Sequence, residues 1–175
     1  MQDVRALDLQ SGQSVWTYQY TSSGDLVASA ISDLQRLYLS DATGTVALDY
    51  ADLAAGRDPV RWRNSARAGC VSPVLSNGLL FTVSDSGVAA AIRSDSGETR
   101  WRRRLPGQYF ASLVASPGAV YFTNSEGLTT VVAPEGTFRL LAQSLLGEEI
   151  LASMAVAGGE LFIRSTSHVY ALGGQ

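Results

Sequence analysis

Side chains able to make or break bonds are sparse in this 175-residue chain and stand far apart. Cys70 is the only cysteine, so it forms no internal disulfide and offers no metal-ligand spacing. Beside the apolar start Val71-Ser72-Pro73 it reads as a buried, inert thiol. His168 is the only histidine, with no cysteine or second histidine near it in the chain to build a metal site or a nucleophile–base pair. Glu148 and Glu149 adjoin Gly147 in a loop, and acid/base work by paired carboxylates needs a partner across a cleft. No catalytic, cofactor-binding or metal-binding residue is assigned, and no cofactor is expected.

Binding chemistry is better represented. The densest charge is the run Arg100-Trp101-Arg102-Arg103-Arg104, which Arg57, Arg61, Arg63 and Arg67 extend into a potential basic patch. On a strand, alternation sends Arg100, Arg102 and Arg104 to one side and Trp101 with Arg103 to the other. The three arginines then line an outer sheet edge, where they either discourage edge pairing or meet an anionic partner. All 13 basic residues are arginine, yet the net charge is −3 and the pI about 5.1, which argues against nucleic acid or an anionic membrane as a general partner.

The elements that position these residues repeat about every 40 residues. An apolar start with a serine recurs at Ser29, Ser72, Ser112 and Ser153, in steps of 43, 40 and 41. An apolar–aromatic pair follows at Leu37-Tyr38, Leu80-Phe81, Val120-Tyr121 and Leu161-Phe162. A polar turn ending in glycine comes next, except in the last unit, where Arg164 to Ser167 stand instead. A glycine precedes a tryptophan by four residues at Gly12/Trp16 and Gly97/Trp101, and by six at Gly56/Trp62. Leu140, four residues after Gly136, takes the tryptophan's place in the last full unit. Within a unit, short apolar runs between glycine and asparagine punctuation predict four antiparallel strands, A to D, with Asn77-Gly78 as a two-residue hairpin turn. The alanine-rich Tyr50 to Gly56 predicts one turn of helix in a C–D connection.

A lone small sheet cannot bury both faces, so a four-stranded unit repeated in series predicts an all-β fold, a β-propeller of stacked blades. Trp16, Trp62, Trp101 and Leu140 are then structural side chains between blades. The repeats fall at about 1–20 (strands C and D), 26–64, 67–105, 108–146 and 149–173 (strands A, B and C), which makes seventeen strands and about four blades in one region, 1–175. Propellers bind ligands over the channel through their B–C and D–A loops. The corresponding B–C candidates are Asp41, Asp85, Asn124 and Arg164, of which the first three are also ordinary turn formers.

The string Val4-Arg5-Ala6-Leu7-Asp8-Leu9-Gln10-Ser11-Gly12-Gln13-Ser14-Val15-Trp16 resembles the "ALD, two residues, TG, then W" signature of the pyrroloquinoline-quinone-like (PQQ-like) propeller repeat. Val71-Ser72-Pro73 and His168-Val169-Tyr170-Ala171-Leu172 are similar to that family's strands A and C. The family includes quinone-dependent dehydrogenases, an outer-membrane assembly lipoprotein that acts as a scaffold, and extracellular sensor domains of bacterial kinases. The dehydrogenases need calcium in a cage of oxygen ligands, an aspartate base and often a vicinal cysteine pair, whereas this chain has one cysteine and no acidic cluster suited to calcium. The resemblance therefore implies a noncatalytic scaffold that binds protein or another ligand outside the cytoplasm, in the periplasm or extracellularly. Its alternatives are part of a PQQ-dependent dehydrogenase and the sensor domain of a larger receptor or kinase.

Family rings usually have seven or eight blades, so about four blades make half a ring. The chain is expected to be a fragment of a longer protein, a half-ring that dimerises, or a small closed ring in which the ends meet. Open flanks would be hydrophobic, so a protein partner or self-association completing the propeller is expected. No apolar run of 18 residues or more predicts a membrane span, and the amino terminus has no signal-peptide pattern.

Overall fold

The computed structural model describes residues 2–21 and 26–173 as an arc of five antiparallel sheets. The first holds β1 (Gln2–Leu7) and β2 (Ser14–Tyr20). The second runs β3 (Ile31–Ser32), β4 (Arg36–Ser40), β5 (Thr45–Asp49) and β6 (Val60–Asn64), with helix α1 (Tyr50–Ala54) inserted before β6. The third is β7 (Val74–Ser76), β8 (Leu79–Val83), β9 (Val88–Arg93) and β10 (Thr99–Arg104). The fourth is β11 (Val114–Ser116), β12 (Ala119–Thr123), β13 (Leu128–Val132) and β14 (Leu140–Leu145). The fifth is β15 (Ala155–Ala157), β16 (Glu160–Arg164) and β17 (Val169–Gly173). We number these sheets blades 1 to 5. Blade 1 holds strands C and D, and blade 5 strands A to C. The two do not pair with each other, so the described chain is an open arc rather than a closed small ring. Among the described residues no helix is long and apolar enough to cross a membrane.

Turn chemistry sets the strand order. Asn77 and Gly78 take φ values of 50° and 72°, the left-handed pair that a two-residue hairpin between β7 and β8 requires. In α1 the Asp49 carboxylate caps the helix by accepting from the Ala51 and Asp52 N–H groups, and Leu53 is buried against Tyr20, Leu37 and Leu48.

Burial shows why one blade needs its neighbours. In blade 3, flanked on both sides, every residue of β8 is buried. In blade 5, flanked on one side, β16 buries only Ile163 and β17 buries nothing fully. Three of the four seams carry one tryptophan each. Trp62 lies against Gly97 of blade 3 and donates Nε1–H to the Ser94 carbonyl at 3.0 Å. Trp101 does the same one blade on, donating to the Glu135 carbonyl at 3.2 Å and meeting Phe138 edge-on with ring centroids 5.2 Å apart. Trp16, half-buried, packs with Tyr18 and Val60 on the blade 1–2 core.

Leu140 does not occupy the fourth such place. A bulge stands before each tryptophan, and Trp16, Trp62 and Trp101 face Ala6, Ala47 and Ala91 across the C–D pair. In blade 4 the residue just past the bulge is Ala142, facing Val131, while Leu140 faces Val132 and is 48% exposed. Gly136 sits earlier in its turn, so counting four residues from it stops two short. The large and small residues have also changed strands there.

The recurring serines form a ladder where the blades converge. The Ser29 N–H donates to Ser72 Oγ at 2.9 Å, Ser72 N–H to Ser112 Oγ at 3.1 Å, and Ser112 N–H to Ser153 Oγ at 3.0 Å. One polar side chain per repeat thus joins each blade to the next, which is the physical content of the 43-, 40- and 41-residue steps.

Candidate functional site

The B–C turns and D–A loops share one face of the arc. Strand B ends at Ser40, Val83, Thr123 and Arg164, so the equivalent first turn residues are Asp41, Ser84, Asn124 and Ser165. Asp85 therefore lies one residue beyond the position expected for it, and Arg164 one residue before. Each anchor is used by its own turn. Asp41 Oδ1 accepts from the Thr43 and Gly44 N–H groups, Ser84 Oγ from Val88, Asn124 Oδ1 from Glu126 and Leu128, and Ser165 Oγ from Ser167 and His168. Asp41 and Asn124 are fully buried, and Asp41 also accepts the Tyr20 hydroxyl at 2.9 Å across the blade 1–2 seam. Asp85 accepts the Cys70 N–H at 3.1 Å and faces its thiol at 3.4 Å. Burial and this carboxylate push the Cys70 thiol up, which keeps it protonated and unreactive.

The arginine run does not form one patch. The bulge between Thr99 and Trp101 breaks the alternation, so Arg100 leans toward Gly136 of blade 4 and pairs with Glu98 at 3.1 Å. Arg103 lies over the Phe138 ring at 5.7 Å. Arg102 points the other way, toward blade 2, and donates to Ser65 Oγ at 3.3 Å. Arg104, exposed, stands two residues along from Arg102, opposite Val88.

Arg102 lines a cavity of about 330 Å³ between blades 2 and 3, together with Ser65 and Arg67 of the D–A loop and Ser84 and Ser86 of the B–C turn. Among the described residues no acidic side chain lines it. A smaller cavity of about 140 Å³ holds the same place between blades 1 and 2, and Arg63, one residue past Trp62 as Arg102 is past Trp101, lines it. The next equivalent, Gln143, is tied to Thr130 Oγ1 at 3.1 Å. Composition and spacing did not disclose this arrangement, because it is built from residues up to 37 positions apart in the D–A loop, the B–C turn and strand D. The usable signs were the potential basic patch that joined Arg63 and Arg67 to Arg102 and an arginine directly after the tryptophan in two successive repeats.

A second polar cluster binds blade 5 to the loop before it. Glu148 accepts the Ser165 hydroxyl, the Ser167 hydroxyl at 2.7 Å and the Tyr170 hydroxyl at 2.7 Å, and lies 3.1 Å from His168 Nδ1. Donation from these hydroxyls, Ser165 first, lowers the Glu148 carboxyl from 4.5 to about 2. Ser165, Ser167 and His168 share one turn and Tyr170 follows on β17, and Ser167 approaches the same Nδ1 edge of His168 as Glu148 does, so this is a tether rather than a nucleophile–base relay. A lowered folded-state value means that the tether is fully present above the unfolded carboxyl's range and is lost as pH falls toward 2. Glu148→Gln is therefore expected to lower the thermal midpoint at neutral pH and to match the parent near pH 2. A deficit that stays constant across that titration would contradict the assignment.

A sequence model of the family described as outer membrane protein assembly factor BamB matches residues 1–144. No curated protein matches the chain. Among solved structures, BamB from Moraxella catarrhalis is 15% identical with a TM-score of 0.80, over 97% of this chain and 50% of that one. The computationally designed Ika8 protein is 11% identical with a TM-score of 0.78, over 97% of this chain and 52% of its own. A europium-containing methanol dehydrogenase is 13% identical with a TM-score of 0.56, over 66% of this chain and 24% of its own. The chain thus spans about half the length of the first two and about a quarter of the third. At these identities the likeness is one of fold. The quinone and metal ion of the dehydrogenase branch do not fit the residues present: among those described, no three of His, Cys, Asp or Glu gather as a metal site, and Cys70 has no neighbouring cysteine.

Proposed function

The chain belongs to the PQQ-like propeller family of the outer membrane protein assembly factor BamB, and from that membership we propose that it is a noncatalytic interaction scaffold working outside the cytoplasm. The observation that carries this reading is the uncovered apolar flank at the blade 5 end. Here β17, the last strand, exposes Val169 and Leu172, 72% and 49% accessible, whereas the same register positions of blade 3, Ala89 and Ile92, are fully buried. Interior blades cover the same surfaces with a neighbour, and apolar exposure on this scale marks a contact surface. The occupant that fits is a further propeller blade, from more of the same polypeptide or from a second copy of the arc, as the half-length match to BamB supports. On this view the ring supplies rigidity, and its loops and edges supply the contacts.

Light scattering on this chain tests the flank. Twice the 18.6 kDa chain mass or more is expected, returning to one chain mass on Leu172→Glu; a single-chain mass for the parent overturns self-association. The noncatalytic part has its own test. Addition of the quinone with calcium is expected to leave the unfolding temperature unchanged, and a thermal shift with altered quinone absorbance would favour the dehydrogenase reading instead.

A further inference from the structure

We propose that the cavity between blades 2 and 3 is a docking point for the carboxylates of an acidic segment on a partner protein. The proposal deepens the scaffold reading, on which it rests, by naming the chemistry of what is held. Two guanidinium groups, Arg67 and Arg102, line the cavity, and neither forms an ion pair among the described residues, although six other arginines do. Arg67 makes no hydrogen bond there at all among the described residues, and Arg102 makes one, to Ser65 Oγ. Each guanidinium carries five N–H donors in a fixed fork suited to a carboxylate.

The serines add to this. Ser84 Oγ receives the Val88 N–H at 3.0 Å and shares one hydrogen with Ser86 Oγ at 3.2 Å. Two hydroxyls carry two hydrogens, so one remains to be given to a guest. Ser65 Oγ, which accepts from Arg102, likewise keeps its own. The site is therefore rich in donors, with no carboxylate among the described residues that line it.

Size and charge narrow the occupant. A volume of about 330 Å³ suits a side chain or a small oxoanion rather than a polymer backbone. The net charge of −3 offers no long-range attraction for a polyanion, so recognition must be local. The repeat then favours a peptide over an isolated ion. Arg63 lines the equivalent cavity one blade away, so an extended acidic segment running across the face would meet a second arginine in the same relation to its blade.

The test is fluorescence anisotropy of labelled hexaglutamate with the full chain at low salt, with inorganic phosphate as competitor. Binding is expected, with Arg67→Gln and Arg102→Gln each weakening it about tenfold or more. Arg5→Gln removes the same charge from a residue paired with Asp3 in blade 1 and is expected to leave binding unchanged. Far-UV circular dichroism confirms that the variants fold, and the two arginines, on different elements, test the site independently. No binding of hexaglutamate, an equal loss with Arg5→Gln, or displacement by equimolar phosphate would each overturn the proposal. Such a failure leaves the scaffold reading intact, because that reading answers to the solution mass and the quinone test.

Discussion

Trp101→Ala is expected to lower the stability of the chain by about 3–5 kcal/mol. The ring is 8% exposed and bridges two blades, packed on Phe81 within its own and on Phe138 of the next. Truncation removes that apolar area from the seam, leaves a cavity that the flanking strands cannot close, and strands the Glu135 carbonyl without the indole N–H. Against a typical total of about 5–15 kcal/mol this is a large share. Urea unfolding followed by far-UV circular dichroism gives the value, and a loss below about 1 kcal/mol would show that the seam holds without the ring. Trp16→Ala should cost less, because Trp16 is only half-buried.

Gly87→Ala is expected to destabilise by about 2–4 kcal/mol. Gly87 has φ +88°, a conformation costly for alanine, and an added Cβ would meet the Leu105 carbonyl oxygen at 2.5 Å. The approach cannot relax, because the Leu105 N–H donates back to the Gly87 carbonyl at 2.8 Å as the chain leaves β10 for the next blade. Gly44 offers the comparison. Its Cβ would meet the Asn64 carbonyl oxygen at the same 2.5 Å but without a positive φ, so Gly44→Ala isolates the steric part and should cost less. Equal losses at the two sites, measured by the same unfolding experiment, would assign the whole effect to crowding.

These glycines and tryptophans show what a single sequence discloses. The blade pattern, the seventeen strands and the Asn77-Gly78 hairpin were legible because each follows from local periodicity or turn chemistry repeated several times. Position within a repeat was less legible. Counting from Gly136 reached Leu140 rather than Ala142, because turn length and a bulge intervene, and both are set by pairing with another strand. Asp85 and Arg164 were misplaced by one residue for a related reason: a turn's composition can be read without its first residue being known. Alternation failed at Arg100 through the equivalent bulge of blade 3, which separates Arg100 from Arg102 onto opposite flanks. Arg67 and Arg102 stood together in one potential basic patch, but the cavity between them was not legible, since it depends on how one blade's loop overlies the next blade's turn.

The serine ladder gives the arc a polarity. At every rung the earlier blade supplies an amide hydrogen and the later blade a hydroxyl oxygen, so Ser29 begins the series as a donor and Ser153 closes it as an acceptor. Two arcs meeting with like ends together would oppose donor to donor or acceptor to acceptor and would lose the rung. A joint that extends the ladder is necessarily head-to-tail, the heterologous kind of contact that either cyclises or grows without limit. Blade geometry then decides between the two outcomes: the rotation from one blade to the next, accumulated over two arcs, must bring the second tail to the first head.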